Sequence, residues 1–324
     1  MGQYWKLVNI DRQEELLNNG GGRKLVEILG GGSLEQLVEL IRNPKWIPFR
    51  SSISHLHASK SNSTGSSLLG LPQEVIDMIV SNLSAGSPES AIHLSLTCVY
   101  FFRLLGPVIQ SILAEDTAPW AGDRLIFVGD YADGLNIEGI CTSEEIHQFE
   151  ENKEEYDNNP LYYLAKDRVM CTMDECVKDE IDPDDDLRQA GTLEQRVRER
   201  LKREDLQLFH RLAAIAKRKQ LSANHYKNAP VLRILTAKKY VRDDAIAQSD
   251  YAYSLGEVVA VLTQWTGDAS GTMDLDRVGE WAGQRFDIAT IADVSEEWTD
   301  ISHVAVENLR KGLSDWEKKD GKRA

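Results

Sequence analysis

The sequence predicts an α+β fold, in which a short helical module is attached to or inserted in a larger mixed domain with a mostly antiparallel sheet and a long amphipathic helix. Three observations carry this. Strand-like runs lie far apart, at Tyr4 to Ile10, Arg124 to Val128, Val231 to Leu235 and Arg285 to Ile291. Between the first two, Leu71 to about Leu113 is dense in apolar residues at helical spacing. Farther on, Leu193, Val197, Leu201, Leu208, Leu212 and Ile215 recur at three, four or seven residues, which predicts one helix over Leu193 to Lys219 with a single buried stripe.

Each element follows from its local chemistry. Tyr4 to Ile10 alternates with Trp5 and Leu7 on one face. Such a strand needs edge partners, and the helix and linker that follow it supply none, so it is expected to pair with downstream strands. Asn18 to Gly22 breaks the strand before a short helical segment near Lys24 to Leu29, and a second helix over Leu34 to Ile41 is closed by Pro44 and Pro48. Ser51 to Ser67 contains eight serines and too little apolar content to pack, so it reads as a linker or an exposed loop, expected to be mobile. Tyr156 to Lys166 reads as loop and helix, Ala237 to Ala247 as a helix, and Leu255 to Trp265 fits helix or strand. The expected domains are residues 1–50, packed on the C-terminal domain; a linker, 51–69; the helical module, 70–115; and an α+β domain, 116–324.

Composition excludes several classes. The chain has 324 residues with 37 Lys plus Arg against 52 Asp plus Glu, a net charge of -15 that repels phosphate backbones, so nucleic acid is not an expected partner. No apolar run approaches the length of a membrane span and no secretory signal is visible, which points to no membrane partner and to the cytoplasm. Lys318, Lys319, Lys322 and Arg323 add a short basic patch of the nuclear-import type. The charge is uneven: residues 133–186 hold 18 acids and 4 bases, and 187–219 hold 10 bases and 4 acids. These neighbours read as self-neutralising, or as a docking surface for a basic partner.

Cys98, Cys141, Cys171 and Cys176 fit reduced thiols, and no CxxC pair calls for zinc. His55 and His57 have no further ligand nearby, and Asp182, Asp184 and Asp186 lack the Gly and Glu that a calcium loop requires. The clusters Gly20 to Gly22 and Gly30 to Gly32 match no phosphate loop, and no GxSxG, HExxH or kinase signature is present. No catalytic residue, metal or cofactor is therefore expected.

Two features remain. Trp120-Ala121-Gly122-Asp123-Arg124 is echoed by Trp281-Ala282-Gly283-Gln284-Arg285, each leading into a strand. A packed Trp, a turn Gly and a pairing Arg suit a shared structural job; Arg124 and Arg285 are alternatively ligand-binding residues framing a pocket. The other feature is Leu71-Pro72-Gln73-Glu74-Val75-Ile76, continuing to Ile79 and Leu83, then Leu94-Ser95-Leu96-Thr97-Cys98. Pro72 and Glu74 suit a helix start. The apolar faces of this segment exceed what about 40 residues of short helix bury among themselves, so a second body must cover one of them.

This second segment resembles an F-box, the helical module by which substrate receptors attach to the Skp linker of SCF ubiquitin ligases. The remainder resembles uncharacterised fungal F-box-like proteins that begin with a Gly-Gln-Tyr-Trp strand and carry Trp-Ala-Gly-x-Arg strands. The resemblance implies a non-catalytic adaptor. Leu71, Pro72, Glu74, Val75, Ile76, Ile79, Leu83, Leu94, Leu96 and Cys98 would bind the Skp linker, which joins the cullin scaffold, and the downstream domain would present an unidentified protein substrate. A stand-alone ligand-binding protein or enzyme is the alternative.

Overall fold

The computed structural model describes residues 3–16, 24, 25, 28, 34–46, 67–132, 136–154, 156, 158–165, 169, 170, 193–217, 229–248, 253–268 and 278–320. Residues 51–66 of the Ser-rich linker, with His55 and His57, the glycine clusters, Cys171, Cys176 and the acidic run around Asp184 lie outside these residues. The chain is α+β, with two mostly antiparallel sheets. It divides into two compact units: unit 1 is Met1–Asn43, Trp120–Gln189 and Ser222–Ala324, and unit 2 is Pro44–Pro119 and Ala190–Leu221.

In chain order, unit 1 opens with β1 (Trp5–Asn9), β2 (Glu14–Leu16) and α1 (Glu35–Ile41). Unit 2 then contributes α2 (Gln73–Gly86), α3 (Pro88–Ser95) and α4 (Val99–Thr117). Unit 1 resumes with β3 (Leu125–Gly129), α5 (Ser143–Glu151), α6 (Pro160–Tyr163) and β4 (Val169–Met170), and unit 2 is completed by α7 (Leu193–Arg200) and α8 (Arg203–Ala216). The rest is unit 1: β5 (Pro230–Ile234), β6 (Lys239–Arg242), α9 (Asp243–Ala247), α10 (Leu255–Leu262), β7 (Gln264–Trp265), β8 (Phe286–Thr290), β9 (Thr299–Asp300) and α11 (Ser302–Asp320).

Unit 1 is two copies of one strand plan. The sheets run β4-β2-β1-β3-β7 and β9-β6-β5-β8. In the first, Leu7 of β1 faces Phe127 of β3 and Val8 faces Glu15 of β2. In the second, Leu232 of β5 faces Ile288 of β8 and Arg233 faces Tyr240 of β6. The two hairpin loops are equal in length, and each ends on a residue of positive φ, Gln13 at 56° and Lys238 at 50°. The edges are exchanged: Gln264 of the second half pairs parallel with Phe127, while Arg42 of the first half pairs parallel with Ile288. Equivalent positions touch twice, as points on a twofold axis must. Arg124 pairs with Arg285 across a β-bridge, and a Cβ on Gly256 would lie 2.2 Å from the carbonyl oxygen of Leu34, its counterpart at the start of α1.

Burial explains the strand sequences. Leu125, Phe127, Trp5 and Leu7 enter one core with Leu37, Ile41, Leu232, Val258, Phe286 and Ile288. Ile126, Val128 and Val8 enter another beneath Phe149 and Leu161. A strand buried on both faces loses the polar alternation, hence the run Leu125-Ile126-Phe127-Val128. In the second half Arg233 and Asp287 pair instead, through hydrogen bonds of 2.7 and 2.6 Å.

The first departure from expectation concerns the domain expected over 116–324, because α7 and α8 belong to unit 2. There Val197, Phe209, Leu212 and Ala216 share a core with Ile76, Ile92, Phe102, Leu105 and Ile109. The second body required by the helical segment is thus, in part, a distant stretch of the same chain. The single long helix is also corrected: it breaks at Leu201 and Lys202. At about 100° per residue, the stripe of Leu193 and Val197 points roughly 110° away from that of Phe209, Leu212 and Ala216. A straight helix cannot bury both stripes in one core; a break re-aims the second. Ala237 to Ala247 is helical only from Asp243, because Lys239–Arg242 pairs with β5. Leu255 to Trp265 is helix, then strand.

Gly256→Ala should lower stability by about 1–3 kcal/mol, since backbone rather than a flexible side chain fills the space. Gly86→Ala in α2, with nothing within 4 Å, should be neutral or mildly stabilising. Thermal denaturation of both variants checks the contrast.

Candidate functional site

The helical unit leaves one end of α2 open. Pro72 fixes the backbone before the helix, and its carbonyl accepts from Val75 at 3.0 Å and Ile76 at 3.2 Å. Leu71, Pro72 and Glu74 are exposed; Val75, Ile79, Leu83, Leu94, Leu96 and Cys98 are half-buried. Ile76 is 3% exposed and belongs to the helical core, so it is unavailable to a partner. This corrects its place on the expected docking face: at helical spacing Ile76 aligns with buried Val80, whereas Val75 and Ile79 lie on the shoulder.

Three residues that sequence reasoning passed over extend this surface. Met78 is 59% exposed, and Leu69 and Tyr100 are 44% and 39% exposed. The Tyr100 hydroxyl donates to Gln73 Oε1 at 2.6 Å, tying the start of α4 to the start of α2. Met78 stands three residues after Val75, one turn along the same side, and that spacing was the available signal. Tyr100 offered none, since the contact joins separate helices.

The two Trp-Ala-Gly-x-Arg segments are brought together, and they brace each other. Gly122 N–H donates to the Phe286 carbonyl at 2.7 Å, and Gly283 N–H to the Leu125 carbonyl at 2.9 Å. Leu125 N–H donates to Gln284 O at 3.1 Å, and Phe286 N–H to Asp123 O at 3.2 Å. Each Trp N–H is held by the preceding helix of its own half, Trp120 by Leu40 O at 3.0 Å and Trp281 by Leu262 O at 3.2 Å. Gly122 and Gly283 have φ of 86° and 70°, a conformation that costs a side chain about 1 kcal/mol or more. The indoles are buried, with Trp120 Nε1 donating to Glu14 at 2.8 Å and Lys239 Nζ lying 4.9 Å from the Trp281 ring centroid.

Both arginines are occupied by the protein. Arg124 donates to Asp11 at 2.7 Å, to Glu145 at 2.7 and 3.1 Å and to the Ile140 carbonyl at 2.9 Å. Arg285 donates to Asp11 at 2.8 Å and to the Gly122 carbonyl at 2.9 Å. The Arg124 hydrogen bonds hold the Glu145 carboxyl below its usual range, against some opposing burial. Burial alone would raise Asp11, but the Arg124 backbone and guanidinium, with the Arg285 charge, hold it low. These pairings support the structural job rather than a ligand pocket.

Other chemistry is sparse among the described residues. Cys141 is buried, and desolvation with the Glu145 charge pushes its thiol up to about 12, so it is no nucleophile at neutral pH. Among the described residues, no group of three or more His, Cys, Asp and Glu is placed to hold a metal, and no helix is long and apolar enough to cross a membrane. No family model matches the chain, and no curated protein or solved structure matches it.

Because Asp11 and Glu145 titrate lower folded than unfolded, they stabilise the fold above the ordinary carboxylate range and cease to as pH falls through their folded values. Arg124→Met should cost about 1–3 kcal/mol at pH 7 and flatten the loss of stability below about pH 4.5. Urea denaturation of both proteins between pH 3 and pH 7 checks this; parallel curves would contradict it.

Proposed function

We propose that the chain is an F-box-type adaptor, in which α2–α4 hold the Skp linker of an SCF ubiquitin ligase and unit 1 presents a protein substrate. One observation carries the reading: Leu71, Pro72 and Glu74 stay exposed although distant helices of the same chain already close the core beneath them. An apolar end flanked by Leu69, Met78 and Tyr100 is free for a partner, and large exposed patches of this kind mark interaction sites. Val75, Ile79, Leu96 and Cys98, half-buried, contribute the shoulder of the same surface. The chain itself supplies no bond-making group in this reading; catalysis resides in the rest of the ligase, and the cullin scaffold is reached through the linker. The paired arginines and buried tryptophans support a scaffold role for unit 1 over the alternative of an enzyme pocket between its Trp-Ala-Gly turns.

Full-length protein mixed with the purified fungal Skp linker should form a complex at micromolar concentration, and Leu71→Ala with Pro72→Ala should weaken it at least about ten-fold, as loss of interface anchors does. Unchanged thermal denaturation of that variant is expected. Absence of any wild-type complex would overturn the adaptor reading, and unfolding of the helical unit in the variant would reassign Leu71 and Pro72 to its stability.

A further inference from the structure

Buried polar atoms without a hydrogen-bond partner gather on one face of the first sheet. Among the described residues eight side-chain nitrogen and oxygen atoms are of this kind, and four of them belong to Gln3, Trp5 and Gln264. Two of the others face ion partners, Glu15 Oε2 with Lys6 at 2.7 Å and Arg242 Nε with Asp300 at 3.1 Å. The last two lie apart from the group: His93 is in α3 of the helical unit, and Trp265 packs on the opposite face of the sheet. Strand register places the four together. Trp5 pairs with Gly129 and Leu7 with Phe127 across β1 and β3, and Phe127 pairs with Gln264 across β3 and β7. Residues directly opposite, like residues two apart on a strand, share a face. Trp5, Leu7 and Phe127 enter the central core, with the Trp5 and Phe127 rings stacked at 4.9 Å, so the Gln264 side chain enters it beside them. Gln3 is on the same side, because a Cβ on Gly129 would run into its carboxamide, whose Nε2 donates to Thr266 Oγ1.

These side chains are sealed from bulk solvent: Gln3 is 4% exposed, and Trp5 and Gln264 are fully buried. The second half of unit 1 shows that the strand plan does not demand a sealed polar group here. There Arg42 pairs with Ile288 as Gln264 pairs with Phe127, and its exposed side chain reaches Glu39 at 3.1 Å. A carboxamide buried without a partner is costly, because it gives up its hydrogen bonds to water and gains none in return. Turning the Gln264 amide over changes nothing, since its oxygen and its nitrogen both lack partners. The four atoms sort evenly by type. Trp5 Nε1 and Gln264 Nε2 are donors, and Gln3 Oε1 and Gln264 Oε1 are acceptors. A cation answers only the acceptors and an anion only the donors. A water molecule donates two hydrogen bonds and accepts two, and waters in this role are an ordinary part of protein interiors.

We propose that Gln3, Trp5 and Gln264 form an internal binding site for water, which bridges the first half of unit 1, through Gln3 and Trp5, to the second half, through Gln264. The site adds a polar tie to the edge exchange that brings β7 beside β3. It is independent of the adaptor reading, since none of its residues belongs to the helical unit.

The test is magnetic cross-relaxation between water and the tryptophan indoles in full-length, nitrogen-15-labelled protein. The Trp5 indole proton, assigned by its loss in Trp5→Phe, should show a cross-peak at the water frequency with opposite signs in NOESY and ROESY spectra, the mark of a water that tumbles with the protein. The Trp120 indole, which donates to Glu14 at 2.8 Å, should show none. Gln264→Leu removes a donor and an acceptor at similar size and should reduce the Trp5 cross-peak at least about three-fold, because two of the four bonds to the water are gone. Oxygen-17 relaxation dispersion, which is blind to hydroxyl protons, should lose part of its long-lived water signal in the same variant. Absence of the Trp5 cross-peak from the wild-type protein would overturn the proposal, and that readout needs no variant should Gln264→Leu misfold. Equal cross-peaks at Trp5 and Trp120 would overturn it as well. So would a Trp5 cross-peak and an oxygen-17 signal both unchanged in Gln264→Leu, a result that assigns the cross-peak to proton exchange through the Thr266 hydroxyl.

Discussion

The reciprocal closure of the two Trp-Ala-Gly turns is the constraint on which unit 1 depends. Each turn glycine donates its N–H to a strand of the opposite half, so neither half satisfies its backbone alone. Positive φ at Gly122 and Gly283 aims those N–H groups, and the arginines that follow lock the crossing through a shared carboxylate, Asp11. The edge exchange adds to this: the strand after α10 completes the first sheet, and the residues after α1 extend the second. Two copies of a small strand plan are thereby joined by backbone hydrogen bonds into one compact unit.

That interlocking explains how the chain carries a large helical insertion. The residues between Asn43 and Trp120 interrupt the first half where the second half has only the stretch between Trp265 and Trp281. Loop-closure entropy grows slowly with length, so an insertion costs little when both its ends are fixed by hydrogen bonds of the host. A second excursion from the host supplies α7 and α8, and the two excursions share one core built around Phe102, Leu105, Val197 and Phe209. The helical core therefore closes without burying Leu71, Pro72 and Glu74 at the start of α2.

The strands at Tyr4, Arg124, Val231 and Arg285 were legible because their apolar runs are bounded by turn residues. The duplication was visible only as the Trp-Ala-Gly-x-Arg echo, and nothing beyond that pair suggested a repeat. Strand partners keep register through backbone geometry, so β1 and β5 match in pairing while sharing only Leu7 and Leu232 in sequence. The origin of the covering helices was likewise hidden: apolar periodicity states that a stripe is buried, not against what, and Phe209 lies more than a hundred residues from Ile92. Of the residues of the proposed docking face, the Leu-Pro start of α2 could be read directly. The burial of Ile76 and the exposure of Tyr100 depend on helix crossings that no local pattern encodes.

The central claim is that one exposed helix end binds a partner while the duplicated body stands apart from that event. Hydrogen exchange of the full-length protein, with and without saturating Skp linker, tests it most directly. The account predicts new protection at the amides of Val75 to Ile79 and around Tyr100, with Gly122, Leu125, Gly283 and Phe286 unchanged. Protection at the Trp-Ala-Gly turns, or at none of these amides, would contradict it.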